Sequence, residues 1–461
     1  MTLRRLSLFT ALTCFGFLAT AFPGNAEEKS SATNAPAWIS EPLSLAEAVN
    51  LALKQNGAIL RGKAELEATY GVVVQTRAVA LPNIRLTGNF TANDPNAVET
   101  FPSIGGPFTV NTPDQNWSSN IRILQSIYEG GRINSSLRAA RLTREQALLQ
   151  YQAVIADALL EVHVAYYDVL LAVQLITVQE ASVNLLGKEL SDTQNRFEAG
   201  TVPRFNVLRA EVEVANARPR LIRARNALRI AKNNLVSLIG SHVPQDVGED
   251  IPLQLTGQLQ AEPYDVQLPA ALTAALAKRP ELGVLRKAES LRKEGIVNAK
   301  SGYKPGVQVF AGYGFRNSSF SDDLTREVHG WNTGVQLSWD IFDGFRTKGR
   351  VQEARALYER AQVELDDISR RIEQEVRTAY STFIESKEVL ESQKKVQEQA
   401  EEALRLAVAR NEAGTGTQLD VLSAQTALTE ARATQVQALR DYSVARIRLE
   451  RAIGQIFGPV K

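Results

Sequence analysis

Apolar and polar side chains alternate along residues 331–342. Trp331, Thr333, Val335, Leu337, Trp339 and Ile341 fall on one face, and Asn332, Gly334, Gln336, Ser338 and Asp340 on the other. A period of two is what a strand with one buried face requires. Residues 116–128 follow the scheme less strictly, with Trp117, Ile121, Ile123 and Ile127 against Ser118, Asn120, Arg122 and Ser126; Leu124 and Gln125 break it. Two further strands are expected at about 80–91 and 305–317. In the first, Ile84, Leu86 and Phe90 oppose Arg85, Thr87 and Asn89. In the second, Val307, Val309, Ala311, Tyr313 and Phe315 oppose Gln308, Gly312, Gly314 and Arg316, with Phe310 as the exception.

Trp117, Tyr128, Tyr313, Phe315, Trp331 and Trp339 sit near strand ends. Aromatic girdles occupy that position where a barrel meets lipid headgroups. The alternative is a soluble sheet packed on a core. Four strands in lipid leave open edges that nothing satisfies, and closure needs about eight or more. Several chains must therefore share one barrel. At such a size a polar inner face lines a water-filled pore.

The rest of the chain is helical and too extended for a globule. From Arg132 to about Glu198 there is no proline, and Gly187 is the only glycine. Such a run of roughly 67 residues is about 100 Å of helix. The pattern returns at a constant offset of 214 residues, Arg132 to Gly240 matching Arg346 to Gly454. Upstream parts match at an offset of 223, so the first copy carries nine extra residues, expected in a loop between its strands. The predicted organisation is a first repeat over 27–240 with its helical hairpin at 132–239. A connecting segment at 241–265 separates it from a second repeat over 266–461, whose hairpin spans 346–454. Shorter helices at about 57–80 and 281–301 are expected to stack end to end with the return helices.

Each long helix ends in a matching turn, Gly200-Thr201-Val202-Pro203 and Gly414-Thr415-Gly416-Thr417. Glycine in the left-handed conformation stops a helix, and Thr417 with Asp420 reads as a capping box. A well-made hairpin explains these residues. The repetition of Arg196/Gly200 and Arg410/Gly414 also suits a tip that a partner grasps.

Composition narrows the remaining classes. The chain is 44% hydrophobic and 22% charged, with formal net charge +1, so no basic surface points to nucleic acid. Arg4 and Arg5 precede an uncharged apolar run from Leu6 to Phe22 and small residues at Gly24-Asn25-Ala26. That reads as a secretory signal over 1–26, and it holds the single cysteine, Cys14. His163, His242 and His329 are scattered, so no metal site and no cofactor are expected. No phosphate loop, zinc motif or nucleophile elbow is present, and an enzyme is not expected.

Gly414-Thr415 followed by Leu419-Asp420-Val421-Leu422, the Ile341-Phe342-Asp343-Gly344 strand exit and the tandem repeat together resemble the TolC-type outer-membrane efflux protein family. The resemblance implies a homotrimer in the cell outer membrane with a shared twelve-stranded β-barrel, four strands per chain. A periplasmic α-helical barrel continues it, making the fold mainly α with membrane β. It implies contact with outer-membrane lipid and docking on a periplasmic adaptor and an inner-membrane pump of the RND, MFS or ABC type. Arg196, Gly200, Thr201, Arg410, Gly414 and Thr415 become candidate adaptor contacts. Asp420, with Asn206 at the matching first-tip position, becomes a candidate tunnel constriction, since some members carry acidic rings there. Ser423 departs from members with a second acidic residue. The expected role is an exit duct for small molecules or proteins. A duct dedicated to type I protein secretion and a self-sufficient porin are the alternatives.

Overall fold

The computed structural model describes residues 42–94, 100–102, 109–111, 114–243, 248–317 and 324–455. The expected signal segment and Cys14 lie outside them. In chain order the elements are α1 (Leu45–Gln55), α2 (Gly57–Arg77), β1 (Asn83–Ala92), β2 (Thr100–Pro102), β3 (Thr109–Asn111), β4 (Gln115–Glu129), α3 (Arg132–Glu198) and α4 (Arg204–Ile239). Then follow α5 (Leu268–Lys278), α6 (Pro280–Ser301), β5 (Gly306–Asn317), β6 (Glu327–Ser338), α7 (Arg346–Glu412) and α8 (Gln418–Ile453).

The helices form a wall of four parallel rods. α3 and α7 are continuous over 67 residues each. α4 and α8 return over 36 residues each, and the shorter α2 and α6 complete their length. The joints are tight. At the first, the Asn56 side chain donates to Leu238 O at 2.6 Å and accepts from the N–H groups of Ala58 and Ile59, which caps α2. Gly240 ends α4 there with φ +81°, and a Cβ on it would lie 2.2 Å from the Gln55 carbonyl oxygen. Only glycine fits that conformation and that gap. At the second joint Gly454 (φ +80°) ends α8 against Lys278 and Arg279. The rods run in the order α4 with α2, then α3, then α8 with α6, then α7, in alternating directions.

Two apolar cores thicken the wall at mid-height. In one, Ala48 and Ala52 of α1 and Ile251, Leu253 and Leu259 of the connecting segment cover Val162, Tyr166 and Val169 of α3. Tyr166 fixes the connection, accepting from Gly257 N–H and donating to Leu43 O, both at 3.2 Å. α3 is the one helix among the described residues long and apolar enough to cross a membrane by length and composition, and only 22% of its most apolar stretch is buried within the chain. In the other core, Ala271 and Ala275 of α5 cover Ile372, Val376 and Phe383 of α7 and Tyr442 and Leu449 of α8.

Strands β1, β4, β5 and β6 form one antiparallel sheet in the order β1-β4-β5-β6, leaving β1 and β6 as open edges. Register puts Leu86, Ile121, Tyr313 and Trp331 in one row of apolar residues across it. The adjacent row is polar: Arg85, Arg122, Gly312 and Asn332. The breaks in alternation have local causes. Leu124 and Phe310 face each other on the polar side. The Phe310 ring lies over Gly334, where a Cβ would come within 2.8 Å of it. Gln125 falls on the apolar side but donates back to Ala80 O and Ser126 O. A register shift between Ser126 and Tyr128 returns Tyr128 to the apolar side opposite Val307.

Two expectations change. The fourth strand ends at Ser338, so Trp339, Ile341 and Phe342 lie beyond it. The chain turns there because Asp343 accepts from Thr347 N–H at 2.8 Å and Gly344 and Phe345 take positive φ to enter α7. The long β1–β4 connection, expected as a loop, also pairs β2 with β3 in a short separate hairpin.

Candidate functional site

The two hairpin tips are built on the same helix stop. Gly200 has φ +73° and Gly414 φ +74°. The Arg196 carbonyl accepts from the N–H of Thr201 at 2.9 Å and from its hydroxyl at 2.8 Å. The Arg410 carbonyl likewise accepts from Thr415 N–H and Gly416 N–H, both at 2.9 Å, and from the Thr415 hydroxyl at 3.2 Å. The repeated Arg-x-x-x-Gly-Thr therefore closes each helix through the arginine backbone. Nothing lies within 4 Å of a Cβ built on Gly200 or Gly414, so both turns are open to their surroundings.

The second tip is also tied sideways. Gln418, the first residue of α8, donates to the Thr193 hydroxyl at 2.7 Å and to Glu189 Oε1 at 3.4 Å. Burial raises the Glu189 carboxyl above its ordinary value, and the Gln418 bond opposes that only in part. None of these three residues stands out in the sequence, because the bond joins positions 225 apart.

Further along α3 and α8 the same seam repeats. Thr429 donates to Ser182 at 3.2 Å. Arg440 donates to Asp168 at 2.8 Å, and Arg451 to Asp157 at 2.6 Å. On α8 these rungs (418, 429, 440, 451) recur every eleven residues. Eleven residues make three turns of about 3.67, a period that keeps one face on the neighbour with a right-handed supercoil. The last rung is the most buried. Arg451 also reaches Glu281 at 2.5 Å, and Arg279 bridges Glu281 and Glu375. Burial works against ionising Glu281, but the bonds from Arg279 and Arg451 outweigh it and hold the carboxyl at about 2.

The two predicted constriction residues occupy different places. Asp420 is exposed and completes its capping box, accepting from Thr417 N–H at 2.9 Å and the Thr417 hydroxyl at 2.8 Å. Those bonds, the backbone one first, lower its carboxyl. Asn206 lines a cleft of about 520 Å³ between the tips, together with Arg196, Thr201 and Gln418. Asp420 is outside that cleft.

On the sheet, Trp117, Tyr313, Phe315 and Trp331 gather toward the end away from the helices, with the Tyr313 and Phe315 rings 5.0 Å apart. Tyr128 lies at the helical end, and the Trp339 indole, past the strand, donates to Tyr303 O at 3.2 Å. Between the Tyr313 and Val307 rows the strands rise about 20 Å, against about 25 Å for the apolar band of outer-membrane barrels. Trp331, Val335 and Leu337 are each two-thirds or more exposed on this face. No grouping of metal-binding side chains exists among the described residues.

The family model described as outer membrane efflux protein matches residues 48–241 and 271–455. The chain is 24% identical over 436 residues to outer membrane protein TolC of Escherichia coli (strain K12), covering 90% of this chain and 84% of that protein. It is 25% identical to the alkaline protease secretion protein AprF of Pseudomonas aeruginosa, covering 88% and 83%. Its fold matches the crystal structure of the Campylobacter jejuni CmeC outer membrane channel with a TM-score of 0.75 at 15% identity, covering 90% and 87%.

Proposed function

This chain belongs to the outer membrane efflux protein family, an outer-membrane exit duct with its helical tunnel in the periplasm, and we propose that three copies close that duct. The sheet carries the reading: it ends in two strands with open outer edges, β1 and β6, that run in opposite directions. A neighbour's β1 can add to β6 and keep every pair antiparallel. An open edge in lipid leaves backbone groups unsatisfied at several kcal/mol each, so closure by identical neighbours is favoured. Three chains supply twelve strands. The rods close in the same sense, α7 of one chain beside α4 and α2 of the next. The outer rods carry exposed apolar residues for such a contact, including Leu60, Val72 and Ile222 on one side and Val363, Val389 and Leu406 on the other.

In this arrangement Trp117, Tyr313, Phe315 and Trp331 form the outer girdle, and Tyr128 and Trp339 the inner one. The tips at Arg196–Thr201 and Arg410–Thr415 face a periplasmic adaptor, through which an inner-membrane pump supplies energy. Asn206 and Asp420 line the narrow end. Small-molecule efflux is the favoured cargo route from the family's description. Export of protein is the second reading, because a protease secretion protein is as similar to this chain as TolC is. Mass measurement of the purified protein in detergent, with negative-stain electron microscopy, tests the assembly. A trimer with a central lumen is expected. A monomer with none refutes it.

A further inference from the structure

On the polar side of the sheet Arg85 of β1 is the direct cross-strand partner of Arg122 of β4. Both are exposed, and neither has a carboxylate partner among the described residues. Like charges placed opposite one another destabilise a strand pair, so the fold retains an electrostatic cost here. The surroundings hold Arg122 in place. The Arg122 guanidinium stacks 4.5 Å from the centroid of Phe310, whose ring is seated on Gly334. The next position in the row is Gly312, where a Cβ would come within 2.7 Å of Asn332 Oδ1. Acidic residues near the helical end of the sheet are already neutralised, Glu129 by Arg132 and Asp340 by Arg346. The middle of this face therefore carries cationic charge alone.

We propose that Arg85 and Arg122 form an anion-binding belt inside the barrel, six guanidiniums in the trimer, that concentrates phosphate- or carboxylate-bearing solutes in the outer-membrane section of the duct. This rests on the trimeric barrel with its polar face inward. Guanidiniums suit such ligands because their paired N–H donors match two oxygens of one anion. The walls of a narrow pore focus the field of like charges, which raises the local counter-ion concentration about tenfold or more.

Single-channel current through the full-length protein in a neutral phosphatidylcholine bilayer tests this, with inorganic tripolyphosphate added on the barrel side. Tripolyphosphate is expected to block the wild-type current. The double variant Arg85→Gln/Arg122→Gln should need about tenfold more, while Arg85→Lys/Arg122→Lys, which keeps the charge but not the paired donors, falls between the two. Equal block of the Gln variant, with its current steps intact, overturns the belt and leaves the duct standing. A wild-type current that ignores tripolyphosphate but responds to anionic lipid in the bilayer puts the pair against lipid, and overturns the belt too. Absence of any current steps from wild-type trimers removes the duct reading, and the belt with it.

Discussion

The side-chain amide of Gln418 donates to the hydroxyl of Thr193 at 2.7 Å, binding the start of α8 to the flank of α3. The matching first-tip position is Arg204, and no such bond ties it down among the described residues. Thr193 lies about one turn before the first tip, so the bond ties the start of α8 to the end of α3, while the start of α4 has no such tie among the described residues. Gln418→Ala is expected to cost about 1 kcal/mol locally and to speed amide exchange in the first turns of α8. Hydrogen–deuterium exchange of peptides from both tips checks this; the first turns of α4 should not change.

The buried charge cluster around Glu281 makes stability depend on pH. Its folded carboxyl sits at about 2 against an ordinary 4.5. A depressed carboxyl stabilises above the unfolded value, and that contribution disappears as pH falls from about 4.5 toward 2. At most about 3 kcal/mol is involved per chain. Circular dichroism melts across this window should show the loss, and Glu281→Gln should flatten it. Arg451→Ala is expected to cost about 1–3 kcal/mol at neutral pH, because the partly buried Glu281 loses one of its two arginine partners and keeps Arg279, while Asp157 is exposed.

The glycines that end helices are not equivalent. Gly414→Ala faces open space and carries only the left-handed backbone cost, about 1 kcal/mol. Gly240→Ala adds a collision with the Gln55 carbonyl at the α4–α2 joint. Thermal unfolding should separate them clearly, with Gly240→Ala the worse by several degrees or failing to assemble.

Asp420 uses one oxygen for its cap, and among the described residues Oδ1 has no hydrogen-bond partner. With its carboxyl lowered it is charged throughout the neutral range. Asp420→Asn is expected to weaken block of single-channel current by hexamminecobalt added from the tip side. Unchanged block confines the residue to capping.

The elements legible in the sequence were those written periodically. The offset between Arg132 and Arg346 marks helices of equal length, and the Thr417–Asp420 box appears as read. Alternation from Trp331 to Leu337 gives the two faces of β6. The same alternation overran the strand at Trp339, because nothing periodic announces that Asp343 captures the next helix. Leu124 and Phe310 looked like errors singly and make sense only as a cross-strand pair. The Thr193–Gln418 and Asp157–Arg451 contacts link residues more than 200 apart. Their one local trace was the eleven-residue spacing along α8.

Each chain contributes an even number of main-sheet strands and an even number of rods, and both sets alternate in direction. A newcomer therefore always meets an edge of opposite polarity, whether it is the second copy or the last. Pairing alone accepts any count of subunits. The circumference must then be set by how sharply neighbouring rods lean on one another, so that a bulkier residue in a seam would alter the calibre of the conduit before it loosened the wall.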